Sequence, residues 1–291
     1  MKNRRIIFGL IFLAVIFWGT SFIATKSLLT QIEPVTIIVL RLIIGSVVLS
    51  VYALLTKKNF SINLKSHLYI ILLAAIASFH LWIQVTGLKF TTASNTGWII
   101  GTAPIFISIL GIIFFKEKIT VVQIFGVILA LTGLVLLISR GDIKSIDFIS
   151  TKGDLLVLGS AFTWGVYSTI NKKISLSYSP TMTILYLFIF MAIIIIPFNL
   201  NQEKINSIIN LSATGWLLIL FLGVFCSGVA YSVWSYALRE LDSGKVGAFL
   251  YFEPFVTVIA AWVFLNETIT LLMILSGLII TAGVVLVNKD K

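Results

Sequence analysis

Charge is scarce in this chain. Only 11% of its 291 residues are charged, against about 25% in soluble domains. Acids are the scarcer sign, with 11 Asp and Glu against 21 Lys and Arg. Cysteine is nearly missing. Cys226 stands alone, so no internal disulfide is possible, and its apolar surroundings make it a small packed residue. With two histidines in the chain and no Cys/His spacing of the zinc type, no metal is expected. There is no phosphate loop, no serine-nucleophile motif and no histidine-plus-carboxylate cluster. The chain is therefore not expected to be an enzyme, to carry a cofactor or to be driven by ATP. Low-complexity stretches and long polar segments are also missing, which leaves no room for a separate soluble domain.

What fills the sequence is apolar. Hydrophobic residues make up 59% of it, and the mean hydropathy is +1.09. Runs of about 20 apolar residues follow one another, each long enough to cross some 30 Å of hydrocarbon as helix. The runs do not alternate as strands would. They predict ten spans, at 6–26, 34–55, 67–88, 92–115, 120–139, 153–172, 180–198, 214–237, 245–265 and 269–287. Loops are short, the longest falling at 56–66, 140–152 and 199–213. The basic start (Lys2, Arg4, Arg5) resembles a signal peptide, but the apolar run after it is too long and lacks a small-residue cleavage site. It reads as the first span.

The chain also repeats itself. Trp18-Gly19 and Trp164-Gly165 are 146 residues apart, as are Lys26 and Lys172, and Pro34 and Pro180. Later in each half the offset becomes 150, relating Gly97 to Gly247, Pro104 to Pro254, Glu117 to Glu267 and Gly133 to Gly283. A longer second-half loop between Pro197 and Gly215 accounts for the drift. Two units follow, 1–145 and 146–291, each of five spans. An odd count inserts the second half upside down relative to the first. The expected fold is thus an all-α integral membrane protein, ten transmembrane helices in two inverted five-helix repeats, as in many secondary transporters.

A net charge of +10 would point to nucleic acid in a soluble protein. Here the basic residues sit in the short loops, so no nucleic-acid partner is expected and the charge is topological information. With the N-terminus inside, the inner segments hold fourteen Lys and Arg and the outer segments six, while Arg41 lies within a span. Both termini are therefore expected in the cytoplasm.

The stretch Phe17-Trp18-Gly19-Thr20-Ser21-Phe22-Ile23-Ala24-Thr25-Lys26, with Pro34 and Arg41 after it, resembles the opening signature of the drug/metabolite transporter superfamily, EamA type. The endings Pro104…Phe115-Lys116-Glu117 and Phe252-Glu253-Pro254…Phe264-Leu265-Asn266-Glu267 resemble that family's paired fourth and ninth spans. The second half carries a weaker first signature, Phe162-Thr163-Trp164-Gly165-Val166-Tyr167. The resemblance implies ten spans in two five-span halves and a central site lined by spans 1, 3, 4, 6, 8 and 9. It does not name the substrate.

Several residues are candidates for that site. Pro104 and Pro254 fall at equivalent mid-span places, where a proline removes a backbone donor and breaks the helix. Glu253 lies eight residues after Lys245, about 12 Å into the bilayer. A carboxylate there must face the interior, find a partner or carry a proton. Its readings are an amine contact, a proton-coupling site or a hydrogen bond to backbone freed by Pro254. His80, in the middle of span 3, is a satisfied interior group or a functional one. Trp18 and Trp164 are a dozen residues into their spans, too deep for an interfacial belt. Trp98, Tyr167, Tyr231, Trp234 and Tyr251, with Trp82, are further candidates for an aromatic lining. Ser21, Gln84 and Asn95 are candidate hydrogen-bonders. Arg41 offers a substrate carboxylate contact, but the reading the sequence favours is structural: snorkelling to the headgroups or pairing with Glu33. Lys26 and Lys172 read as interfacial anchors, and Trp216 and Trp262 as belt.

The expectation is an inner-membrane secondary transporter of a small metabolite, led by amino acids and related compounds, exporting by alternating access and sufficient as a monomer. Its partners would be the small-molecule substrate and the lipid bilayer. The alternatives are proton-coupled efflux of lipophilic or cationic compounds and, from another class, a membrane enzyme or scaffold.

Overall fold

The structure is a computed structural model. It describes residues 4–60, 64–115, 120–139, 152–175, 179–199, 201–241 and 246–288. Lys116, Lys118, Glu117, Lys245 and the 140–151 stretch of the linker between halves lie outside the described residues, as do Lys2, Lys289 and Lys291.

Among the described residues the fold is all helix. The first half holds α1 (Arg4–Leu28), α2 (Pro34–Leu55), α3 (Leu64–Phe90), α4 (Ala93–Ile100), α5 (Ala103–Phe115) and α6 (Val121–Ser139). The second holds α7 (Lys152–Ser175), α8 (Pro180–Ile195), α9 (Gln202–Ile209), α10 (Ala213–Phe221), a π-helical segment (Leu222–Val229), α11 (Ala230–Glu240), a 3₁₀ turn (Ala248–Phe252), α12 (Glu253–Leu265) and α13 (Leu271–Asn288). Among the described residues six helical stretches are long and apolar enough to cross a membrane: Arg4–Leu28, Pro34–Leu55, Lys65–Phe90, Pro180–Phe198, Ala213–Glu240 and Ala248–Leu265. Val121–Leu137 and Leu271–Leu286 are shorter apolar helices. The protein is a multi-pass membrane protein.

The ends of these helices follow from their residues. Pro34 and Pro180 each open a helix, where the missing N–H costs nothing. Asn266 ends α12 in the left-handed conformation at φ 53°, which asparagine tolerates better than most residues. One expectation needs correction. The 199–213 stretch reads as loop in the sequence but folds the short helix α9, capped by the Asn201 side chain accepting from Lys204 N.

The burial pattern is that of a protein in lipid. Large apolar side chains such as Leu55, Phe114 and Trp262 face outward, while Arg41, His80, Asn171 and Glu253 are buried. In the second half, α7 packs on α3, α8 on α2, α12 on α1, and α13 on α6. The last contact rests on two glycines. A Cβ at Gly133 would lie 2.8 Å from Ile280 N and Ser276 O, and one at Gly283 would lie 2.5 Å from Ala130 N and 2.6 Å from Gly126 O. Backbones therefore touch, as small residues allow in membranes. Gly283→Val should destabilise the protein by about 1–3 kcal/mol through overpacking, read as a melting temperature lowered by several degrees. Gly9→Ala, with nothing within 4 Å of the added carbon, should leave it unchanged or raise it.

Candidate functional site

Seven elements converge on one internal cavity. Its walls are Trp18, Ser21 and Phe22 of α1, Arg41 of α2, His80, Leu81 and Gln84 of α3, Ile100 of α4, Trp164 of α7, Tyr231 of α11 and Glu253 of α12. The cavity holds about 40 Å³, room for a few waters and far below the volume usual for a metabolite site.

Aromatic rings form one side. Trp18 and Trp164, the mates of the 146-residue offset, meet edge to face at 5.2 Å. Tyr231 lies 5.6 Å from Trp18 and 5.7 Å from Trp164. Trp18 is fixed by its indole N–H, which donates to Cys226 O at 3.0 Å.

Polar groups form the other side. Arg41 is 4% exposed, and its Nε–H donates to Ser227 Oγ at 2.9 Å. It neither snorkels nor pairs with Glu33, which faces Lys204 at 3.6 Å instead. Arg41 instead takes a place in the cavity wall. Glu253 is 4% exposed and opens the first turn of α12; its backbone carbonyl accepts from Thr257 Oγ1 at 2.9 Å, while its carboxylate makes no hydrogen bond or ion pair among the described residues. The N-terminus of a helix is a favourable place for its charge. The His80 ring meets Ser160 O at 2.9 Å. A carbonyl only accepts, so Nδ1 carries a proton, and in the neutral ring Nε2 is the acceptor.

Both prolines sit at helix breaks. Pro104 is the second residue of α5 and Pro254 the second of α12, each after an interruption of its span, at Gly101–Thr102 and at the 3₁₀ turn. Pro104 has no N–H to give Ile100 O, four residues back and in the cavity wall.

Other candidates fall elsewhere. Tyr167 stacks on Trp164 at 4.9 Å, and Trp234 packs at 5.3 Å from Trp18; both are buried behind the aromatic wall. Trp98 packs against Phe255 and over Gly277. Tyr251 donates to Val284 O at 3.0 Å. Asn95 lines a separate pocket with Thr92, Thr268 and Thr270. Trp82 is 47% exposed on the outer surface. A larger groove of about 550 Å³ lies where α2 and α11 end, lined by Tyr52, Lys58, Ser179 and Arg239, and is not part of the cavity.

At the end of the bundle where α1 stops, charged side chains bind helix ends, and two of them, Glu267 and Asp154, reach across the halves. Lys26, expected from its sequence position to anchor at the interface, has defined partners in the bundle. Its Nζ donates to Leu88 O at 2.8 Å and Thr91 O at 2.6 Å, capping the C-terminus of α3. Glu267 of the second half accepts from Ala93 N, Ser94 N and Ser94 Oγ at 2.8, 3.0 and 2.6 Å, capping the N-terminus of α4. Thr91 also donates to Asp154 in the first turn of α7. The Glu117/Glu267 offset points to Glu267 in the sequence, yet nothing in the sequence says what it caps.

The sequence profile of the EamA-like transporter family matches the chain twice, over residues 5–139 and 151–289. An uncharacterized transporter of Archaeoglobus fulgidus is 31% identical over 289 residues, covering 97% of each chain. The uncharacterized transporter YoaV of Bacillus subtilis is 28% identical over 283 residues, covering 96% of this chain and 95% of its own. One protein of known crystal structure superposes with a TM-score of 0.73 at 18% identity, over 98% of this chain and 96% of that one, which is a likeness of fold alone.

Glu267→Gln would set an amide N–H₂ against backbone donors. It should cost about 1–3 kcal/mol and lower the melting temperature by several degrees. Glu267→Asp, which keeps the carboxylate, should lose less.

Proposed function

We propose that this chain, which belongs to the EamA-like transporter family, is an inner-membrane secondary transporter of amino acids or related zwitterions. It works by alternating access between two inverted five-helix repeats, with both termini in the cytoplasm. The repeat reading is supported by contacts that map onto themselves when the halves are exchanged. Helix α3 packs on α7 as α11 packs on α1, and α12 packs on α1 as α4 and α5 pack on α7.

The observation that carries the substrate class is the meeting of Arg41 and Glu253 in one buried cavity against Trp18 and Trp164. A zwitterion offers a carboxylate to the guanidinium and an ammonium to the carboxylate and the ring faces. A purely cationic substrate would place its charge in the same cavity as Arg41. The cavity is too small for an amino acid as it stands, so loading requires the halves to separate. The Glu267 and Asp154 bonds join the halves at the end that the Lys and Arg distribution assigns to the outside. Opening them exposes the cavity there, and export follows if substrate loads from the cytoplasm.

Purified protein in liposomes should exchange at least one of the twenty amino acids in counterflow. Arg41→Gln should cut that flux about tenfold or more, the loss of a charge-assisted bond, and Glu253→Gln should do so similarly. Exchange of lipophilic cations alone, driven by a pH gradient and abolished by Glu253→Gln, would replace this reading with proton-coupled drug efflux.

A further inference from the structure

The stretch Ala213–Glu240 does not run as one regular α-helix. Leu222–Val229 (LGVFCSGV) winds as π-helix, a form that occurs mostly as single turns and often at functional sites. This segment packs on α1 and α2, and two cavity side chains are held by it. In an α-helix the Ala230 N–H would bond Cys226 O, four residues back. Here it bonds Phe225 O and Ser227 O instead. Cys226 O takes the Trp18 indole. The next residue, Ser227, presents its Oγ to Arg41 Nε at 2.9 Å. Its approach is set by close packing: a Cβ at Gly45, one turn beyond Arg41, would lie 3.2 Å from Ser227 Cβ.

The guanidinium is a planar fork that can grip a carboxylate bidentately along its Nε edge or its terminal edge. Ser227 occupies the Nε edge. We propose that Ser227 is a specificity-determining positioning residue, which fixes Arg41 so that only its two terminal nitrogens meet the ligand. This inference rests on the reading above, that Arg41 receives the substrate carboxylate. Two terminal N–H groups in a fixed plane match the two oxygens of a carboxylate. A carboxamide has one acceptor oxygen and turns an N–H₂ against the same fork, so it is rejected. Without the Ser227 hydroxyl, the buried Nε–H lacks its partner, and the fork turns to find another. Discrimination is then lost before transport itself.

The test uses the full-length protein in liposomes and compares counterflow of the amino acid with the largest flux among the twenty against its own carboxamide. Ser227→Ala should reduce the preference for the acid about tenfold, with the carboxamide's flux unchanged or raised. Ser227→Thr, which keeps the hydroxyl, should retain it. Ser227→Cys, close in shape but a weak acceptor, reads the same loss if the alanine variant does not fold. Wild-type preference in Ser227→Ala, together with loss of preference in Arg41→Gln, would overturn this inference and leave the zwitterion reading standing. If Arg41→Gln also keeps the preference, or no amino acid exchanges, both fall.

Discussion

An ionisable group inside a bilayer has to be answered from within the protein, and the central cavity brings two of them together. Arg41 and Glu253 come from helices in opposite halves, yet both open on the same cavity. Neither has an ion-pair partner among the described residues. Burying a charge and leaving it without a countercharge is costly, which is the physical ground of the proposed zwitterion reading. Trp18, Trp164 and Tyr231 form the aromatic wall beside the two groups, and the backbone nearby is broken at Gly101–Thr102 and widened at the π-helical segment.

Helix ends handle the remaining charge. Lys26 caps the C-terminus of α3, Glu267 the N-terminus of α4, and Asp154 stands in the first turn of α7. Each sign meets the helix end that suits it. Of these, the Glu267 and Asp154 contacts bind one half to the other at one end, by hydrogen bonds to few groups. In the proposed alternating access these are the contacts that break and re-form, while the apolar packing of α6 on α13 stays intact.

Much of this was legible in the sequence. Hydropathy located the helices, because apolar runs of bilayer length have few other uses. The 146-residue offset paired Trp18 with Trp164, which touch. Glu253 and His80 stood out as polar groups deep in apolar runs, and both line the cavity. Arg41 was misjudged because a cation in the outer third of a span can snorkel, and only tertiary packing shows that it does not. Trp98, Tyr251 and Asn95 were put in the lining for a related reason. A helix that is apolar all round carries no signal for which face turns inward, and the break at Gly101–Thr102 changes the face partway along its span. The π-helical segment leaves no composition signature, so the positions of Cys226 and Ser227 emerge only from coordinates. Lys26 and Glu267 are visible as charges, but the helix ends they cap are not.

The most direct test of the account is the melting temperature of the purified protein with three ligands of one skeleton: an amino acid, its decarboxylated amine and its deaminated acid. Binding to the folded state raises apparent stability by mass action. A cavity holding both Arg41 and Glu253 predicts a clear upward shift with the amino acid and a much smaller one with either single-charge analogue at equal concentration. An equal or larger shift with the amine alone would contradict it.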